Sequence, residues 1–278
     1  MIMKITEMRI DRFNFDITAD YKKYNSFSIG HESCIIKFFR IIRNPQFLYF
    51  LKEQKKKNKQ IRILTPFVPQ QHLLEMKAIL NQLLREEVFD ESVIIVNDLG
   101  MLYYIHQLDP KRKICLGRTL VFSFDFTPWG ELIYANESRA VQDVIKQVNI
   151  YDDIKIIFYK RFNVMSLETN ITPNTLDSLI KVKNAGIDIF VHKAFYLYGI
   201  QRSCYIRRLS SACRCDNVKC DQSREISLAS QWEECDIFLN DAAKYFPTPL
   251  ILRGNQICGQ SRFKEEHPFN CIISEGGI

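Results

Sequence analysis

The sequence predicts an α/β fold, a TIM-like (β/α) barrel with a shortened first unit, and three observations carry that reading. Short β-branched runs alternate with longer segments of helical spacing, which is how parallel strands are returned to one sheet edge by crossovers. Eight runs have strand character, a number that suits a closed barrel better than an open doubly wound sheet. At one junction helix, glycine and strand follow in immediate succession: Pro173 to Ala185, then Gly186, then IDIFVH. Proline is tolerated in a first helical turn, and glycine closes a last one.

Taken in order, the candidate strands are Ser26 to Gly30, Ile61 to Thr65, Val93 to Asn97, Lys113 to Leu116, Ile154 to Tyr159, Asn163 to Glu168, Ile187 to His192 and Pro249 to Leu252. Before SFSIG there is room for a strand and little more than a helical turn or two, so the first unit is short. FLYFL running into KEQKKKNK, Lys52 to Lys59, reads as a helix with a solvated polar end. Asp98 in NDLG is placed to cap the helix that follows, with Gly100 allowing a close backbone. The helix from Pro173 to Ala185 carries an apolar stripe of Leu176, Leu179, Ile180 and Val182. VFSFDF alternates with a period of two, a core-strand pattern before it is a base-stacking or quinone-binding surface. The ends MIMKITEM and FNCIISEGGI carry no interpretable motif and are expected to be less ordered.

Composition narrows the function classes. With 278 residues and 46% hydrophobic content the chain can bury a substantial core. No linker or solenoid repeat divides it, so residues 1–278 read as one domain. Its net charge of +6 is too modest to predict tight general nucleic-acid binding. The longest apolar stretch, Ile187 to Ile200, contains charges and falls short of the ~20 apolar residues of a membrane helix. The opening MIMKITEMRIDRF is charged throughout and lacks the apolar core of a secretory signal. Nine cysteines cannot all pair within the chain, and a reducing cytoplasm is the predicted setting. Glycine-rich phosphate loops, G-x-S-x-G, H-E-x-x-H and EF-hand patterns are missing from the sequence, which counts against nucleotide and zinc-hydrolase chemistry.

The chemistry concentrates in QRSCYIRRLSSACRCDNVKC, where Cys204, Cys213, Cys215 and Cys220 fall within seventeen residues. Zinc knuckles prefer ligand pairs two to four residues apart, and this spacing is irregular for them. An iron-sulfur cluster asks less of local spacing and can recruit a distant cysteine. Ordinary buried thiols are the third reading, and spacing alone leaves all three open. Arg202, Arg207, Arg208 and Arg214 interleave with the thiols. They form a surround that would stabilise an anionic centre or clamp a dicarboxylate or phosphate, unless they are solvated loop charges.

The order of SIGHESC, KQIRILTPF, VNDLGML, QRSCY, the Cys215 and Cys220 pair, and LILRGNQI resembles the collagenase-like peptidase family U32, and most of all its UbiV-type iron-sulfur branch. The similarity spans roughly residues 26–262. Its counterparts are Cys34, the Asp98-Leu99-Gly100 turn, Arg202-Ser203-Cys204-Tyr205, Cys215 with Cys220, and Gly254-Asn255-Gln256. The resemblance implies a 4Fe-4S cluster ligated by Cys34, Cys204, Cys215 and Cys220, with Cys34 meeting the later cysteines at the C-terminal mouth of the barrel. Two departures stand out: the arginine before Cys204 is displaced by one residue, and the final pair is spaced by four where the family has three. Cys213 is an extra thiol and the alternative to Cys215 as ligand.

The resemblance further implies oxygen-independent hydroxylation or modification of a small aromatic or quinone precursor, or of an RNA base, with prephenate as oxygen donor. A heterodimer with a U32 paralogue is the implied assembly. Two rivals are a non-catalytic cluster-bearing partner subunit and a peptidase or peptide-modifying enzyme. The peptidase reading lacks a recognisable nucleophile and base. Candidate substrate-binding residues are Arg118 and His192 at strand ends, Arg207 and Arg208 among the thiols, and Gln256. Arg118 reads equally as a surface salt-bridge residue, and His192 as a structural histidine. Cys115, Cys235, Cys258 and Cys271 read as ordinary buried thiols.

Overall fold

The computed structural model describes residues 5–127, 136–192, 194–201, 204, 223–226, 250–260, 267–269 and 271–274. Eight parallel strands close into a barrel: β1 (Ile5–Ile10), β2 (Ser26–Gly30), β3 (Gln60–Leu64), β4 (Val93–Val96), β5 (Ile114–Leu116), β6 (Val164–Thr169), β7 (Asp188–His192) and β12 (Cys271–Ser274). They run around it in the order β1, β12, β7, β6, β5, β4, β3, β2. Between β7 and β12 the chain forms a second, antiparallel sheet of β8 (Phe195–Ile200), β9 (Ser223–Ile226), β10 (Leu250–Arg253) and β11 (Gln256–Gln260), ordered β8, β11, β10, β9.

The helices are α1 (Ile35–Ile42), α2 (Pro45–Lys56), α3 (Leu73–Leu83), α4 (Leu99–Leu108), α5 (Arg139–Ile145), α6 (Asp153–Arg161) and α7 (Leu176–Asn184). Their caps are written in the sequence. Asn44 accepts from the Gln46 amide with Pro45 in the first turn of α2. Asp98 accepts from the Met101 amide at 3.1 Å to start α4, as expected, and a Cβ on Gly100 would come within 2.9 Å of that carboxylate. The lysine-rich segment is the end of α2, where Lys52 pairs with Glu86 at 3.5 Å and Lys56 with Glu53 at 2.7 Å.

The first unit is short, as predicted. No helix is described between β1 and β2, and aromatic side chains pack in its place. Phe15 and Tyr21 stack at 5.2 Å, and both meet Phe50 of α2 edge-on. Gly30 ends β2 at φ +130°, and a Cβ there would stand 2.1 Å from the Leu64 carbonyl oxygen. Only glycine lets the chain run that close to β3, where the His31 amide donates to the same carbonyl at 3.1 Å.

Four expectations give way. The run Ile154 to Tyr159 is not a strand but most of α6: Asp152 accepts from the Lys155 amide at 2.9 Å, and the helix ends in Lys160 and Arg161. These cap and dipole signals outweigh the β-branched composition. VFSFDF is no strand either. Phe124–Phe126 forms a 3-10 turn, and Phe122 and Phe124 are partly exposed. The chain ends hold barrel strands: β1 pairs with β12 from Ile5 opposite Cys271 to Met8 opposite Ser274. The run beginning at Pro249 does contain a strand, β10, but it belongs to the antiparallel sheet. No helix of the described residues is long and apolar enough to cross a membrane.

Candidate functional site

Alternate residues of the barrel strands face two different surroundings. Met8, Ile10, Phe27, Ile29, Ile61, Ile63, Ile94, Val96 and Leu167 join the apolar layer under the helices. Their neighbours Glu7, Arg9, Arg62 and Glu168 meet one another across the barrel, which strands that are not neighbours can do only through its interior. Arg9 pairs with Glu168 and Arg62 with Glu7 in close contacts, and Arg62 Nη1 lies 3.3 Å from Glu168 Oε1. All four side chains are essentially sealed from solvent. The guanidinium of Arg62 lies over the Phe190 ring at 4.1 Å. Barrel interiors are ordinarily filled by branched aliphatic side chains. Among the described residues, apolar packing there forms small clusters, Leu64, Val93, Ile95 and Cys115 in one and Phe190, Cys271 and Ile273 in another.

Burial pushes the Glu168 carboxyl up, but Arg9, the hydrogen bond from His192 and the charge of Arg62 hold it well below the ordinary carboxylate range. Burial likewise works against the charge on Arg62, and Glu7 with Glu168 keeps it firmly protonated. His192, at the end of β7, is fully buried, with Nε2 3.2 Å from Glu168 Oε2. The network thus reaches upward to a histidine at the C-terminal end of the barrel, where this fold places its chemistry.

Above it lies a second layer. Glu32, in the loop after β2, accepts from Arg118 Nε at 3.1 Å, from Arg118 Nη2 at 2.5 Å and from Gln256 Nε2 at 2.7 Å. Arg9 Nη1 stands 3.7 Å from the same carboxylate and links the layers. Burial raises the Glu32 carboxyl, but Arg118 and Arg9 outweigh it and keep it below its usual range. Arg118 also donates to the Phe195 carbonyl at 2.9 Å. Its ion pair is buried rather than on the surface. Asn97 holds the turn that presents it, bonding the Thr65 carbonyl at 2.8 Å and accepting from Thr119 Oγ1 at 2.9 Å. A Cβ on Gly117 would fall 2.1 Å from Asn97 Oδ1, so glycine is needed there.

Cys34 sits half-buried at the N-cap of α1. Its loop is fixed by His31, whose Nδ1 accepts from the amides of Ser33 at 3.2 Å and Cys34 at 3.0 Å. Burial, then the charges of Lys37, Arg253, Arg9 and Arg12, depress the His31 imidazole far below its usual range, so the ring is neutral with its proton on Nε2. The antiparallel sheet reaches this loop through the β10–β11 turn. Asn255 accepts from Ser33 Oγ at 2.6 Å, donates to the Ser33 carbonyl at 3.0 Å and to the Gln201 carbonyl at 2.9 Å, and accepts from the Gln201 amide on its own carbonyl at 2.9 Å. One asparagine therefore ties the residue before Cys34 to the strand end three residues before Cys204.

Of the expected site residues, Cys34, Arg118, His192 and Gln256 come to the C-terminal mouth, and Cys204 follows the segment clamped there. Cys213, Cys215, Cys220, Arg207 and Arg208 lie outside the described residues, as does Cys235. Among the described residues no group of three or more His, Cys, Asp or Glu side chains is arranged to hold a metal ion. Cys34 stands at a helix N-cap, a position that favours negative charge. Cys115, Cys258 and Cys271 are buried, and burial pushes the Cys115 thiol up to about 12 and that of Cys271 to about 11, which makes both inert.

Sequence reasoning missed Glu7, Arg9, Glu32, Arg62 and Glu168. The available signal was charge inside short apolar runs, as in ITEMRI, QIRIL and VMSLET, because strands buried on both faces rarely carry unpaired charges. Fold and site together define a parallel (β/α) barrel with a charged interior and a thiol at its mouth. No family model matches the chain, and no curated protein or solved structure matches it.

Proposed function

We propose that the chain is an iron-sulfur barrel protein supporting oxygen-independent hydroxylation or a related modification of a small aromatic or quinone precursor, or of an RNA base. In this reading Cys34, Cys204, Cys215 and Cys220 hold a 4Fe-4S cluster, Cys213 is the alternative to Cys215, and prephenate is the candidate oxygen donor. The observation that supports it best is the Asn255 clamp, which brings the Cys34 loop and the segment entering Cys204 to one end of the barrel although 170 residues separate the two thiols.

When bound, such a cluster supplies one-electron transfer. The chain's own residues supply the surroundings. His31 holds the loop that presents Cys34, and the N-cap position of that thiol favours its anionic form. Glu32 orients Arg118 and Gln256 toward the mouth, and Gln256, a neutral amide, can orient a substrate but not act as a base. His192 is the acid-base candidate, its imidazole oriented by Glu168 in the manner of a histidine-carboxylate pair.

Iron, sulfide and zinc content, with visible and EPR spectra of anaerobically purified protein, tests this reading. The expected result is about four irons and four sulfides per chain, lost in both Cys34→Ala and Cys220→Ala variants. Stoichiometric zinc, or no metal, overturns it.

A further inference from the structure

Helix α6 is apolar on two sides. Ile156 and Tyr159 turn inward and are buried with the apolar layer around the barrel, as an amphipathic helix requires. Ile154, Ile157 and Phe158 turn outward and are 81%, 54% and 46% exposed. With Arg161, also exposed, they repeat at i, i+3, i+4 and i+7, the spacing of a packing seam. An exposed cluster of large apolar side chains at this spacing marks a face that a partner covers.

The patch continues onto α4. Phe158 packs on Phe162 at 5.1 Å, and Phe162 meets His106 of α4 edge-on at 5.1 Å, while Leu99 and Tyr103 of α4 are each more than half exposed. Five large apolar side chains, each offering on the order of 100 Å², present about 500 Å² of apolar surface. That is close to the apolar share of the ~800 Å² per partner that a standard-size specific interface buries, and sits at the low end for a homodimer.

We propose that this face joins two copies of the chain about a two-fold axis, with α6 packed antiparallel on its counterpart. Charge placement selects this occupant. The N-terminal end of α6 carries Asp153 and Asp152, the latter already paired with Lys155 at 2.9 Å, and the C-terminal end carries Lys160 and Arg161. Antiparallel packing sets Asp153 of each copy beside Arg161 of the other, whereas parallel packing brings like charges together. The helix dipoles favour the same arrangement. An isologous contact needs this self-complementarity, because each residue on the patch is met by the patch itself. Asp153 already lies 3.0 Å from Lys181, but that pair is solvent-exposed and weakly held.

Sedimentation equilibrium of the full chain over a range of concentrations, with circular dichroism to verify folding, tests the interface. The wild type is expected at twice the mass of one chain, and Phe158→Asp should weaken association about 30-fold or more, the range of interface hot spots. Asp153→Arg and Arg161→Asp should each weaken it about five- to tenfold, and the two together should restore it to within about threefold of wild type, since opposite charges again meet across the axis. If Phe158→Asp fails to fold, Ile154→Lys makes the same test at a side chain the core does not use. A single-chain mass at every concentration, or a dimer indifferent to Phe158→Asp and Ile154→Lys, overturns the interface. Failure of the double reversal to rescue overturns the antiparallel geometry.

Discussion

The same strands build two unlike regions. On the helix side of the barrel wall, Met8, Ile10, Ile61, Ile63 and Leu167 sit in a continuous apolar layer. One residue along, on the other side of the pleat, Glu7, Arg9, Arg62 and Glu168 form a dry ion network. The layer under the helices stabilises through area removed from water, about 25 cal/mol per Å² of apolar surface. The interior network gains less, because taking charges out of water consumes much of what their attraction returns. A barrel selected for stability alone would fill that space with valine and isoleucine. The difference teaches that the wall carries the fold, while the interior is arranged to hold fixed charges beneath the mouth.

The largest effect should come from breaking the network on one side only. Glu168→Ala leaves Arg9 and Arg62 buried without their shared carboxylate and should destabilise by about 3–5 kcal/mol in urea unfolding. A change in the wall removes area but strands no charge. Ile63→Val should cost about 1 kcal/mol, with the two effects separable because only the first alters pH dependence.

That pH dependence has a definite sign. Glu168 is held below its ordinary range in the folded protein, so between the folded and unfolded values the unfolded chain binds more protons and stability rises with pH. The contribution should be complete above about pH 5, near the top of the unfolded carboxylate titration, and be lost progressively as pH falls towards the folded value. Unfolding free energies measured from pH 7 down to pH 3 should fall steeply for wild type and Ile63→Val alike, and less steeply for Glu168→Gln. Equal slopes in all three would mean that other carboxylates govern acid unfolding.

A small global effect, closer to that of Ile63→Val than to that of Glu168→Ala, belongs to the clamp between barrel and antiparallel sheet. Asn255→Ala removes contacts to Ser33 and Gln201 and should cost only about 1–2 kcal/mol. It should nonetheless increase amide exchange in β8 and β11 while leaving β3 and β4 protected. Uniform loss of protection would show that the sheet and the barrel unfold as one unit.

Much of this architecture is legible before any coordinates. Six of the eight barrel strands coincide with runs read from β-branched composition, and the helix ending at Gly186 and the Asp98 cap stand where local pattern puts them. Ile154 to Tyr159 was misread because its two apolar faces imitate the composition of a buried strand. The capping aspartate and terminal cations were the better evidence. At the mouth, Arg118 and His192 could be named from strand-end positions and Gln256 from the family resemblance, but Glu32, which holds Arg118 and Gln256, could not, since nothing local distinguishes it from any loop carboxylate.

The sequence by itself determined the alternation of strands and helices, the short first unit and the residues at several strand ends, because these rest on periodicity and capping within a few residues. Tertiary structure alone decided that the two chain ends meet as β1 and β12 to close the barrel, and that Glu7, Arg9, Arg62 and Glu168 share one interior. It also decided that Asn255 draws Gln201 to Ser33. Each of these joins residues between 50 and 270 positions apart, and local periodicity holds no record of partners at that distance. They are set by which strands the closed ring makes neighbours and by the need of every buried charge to find its opposite.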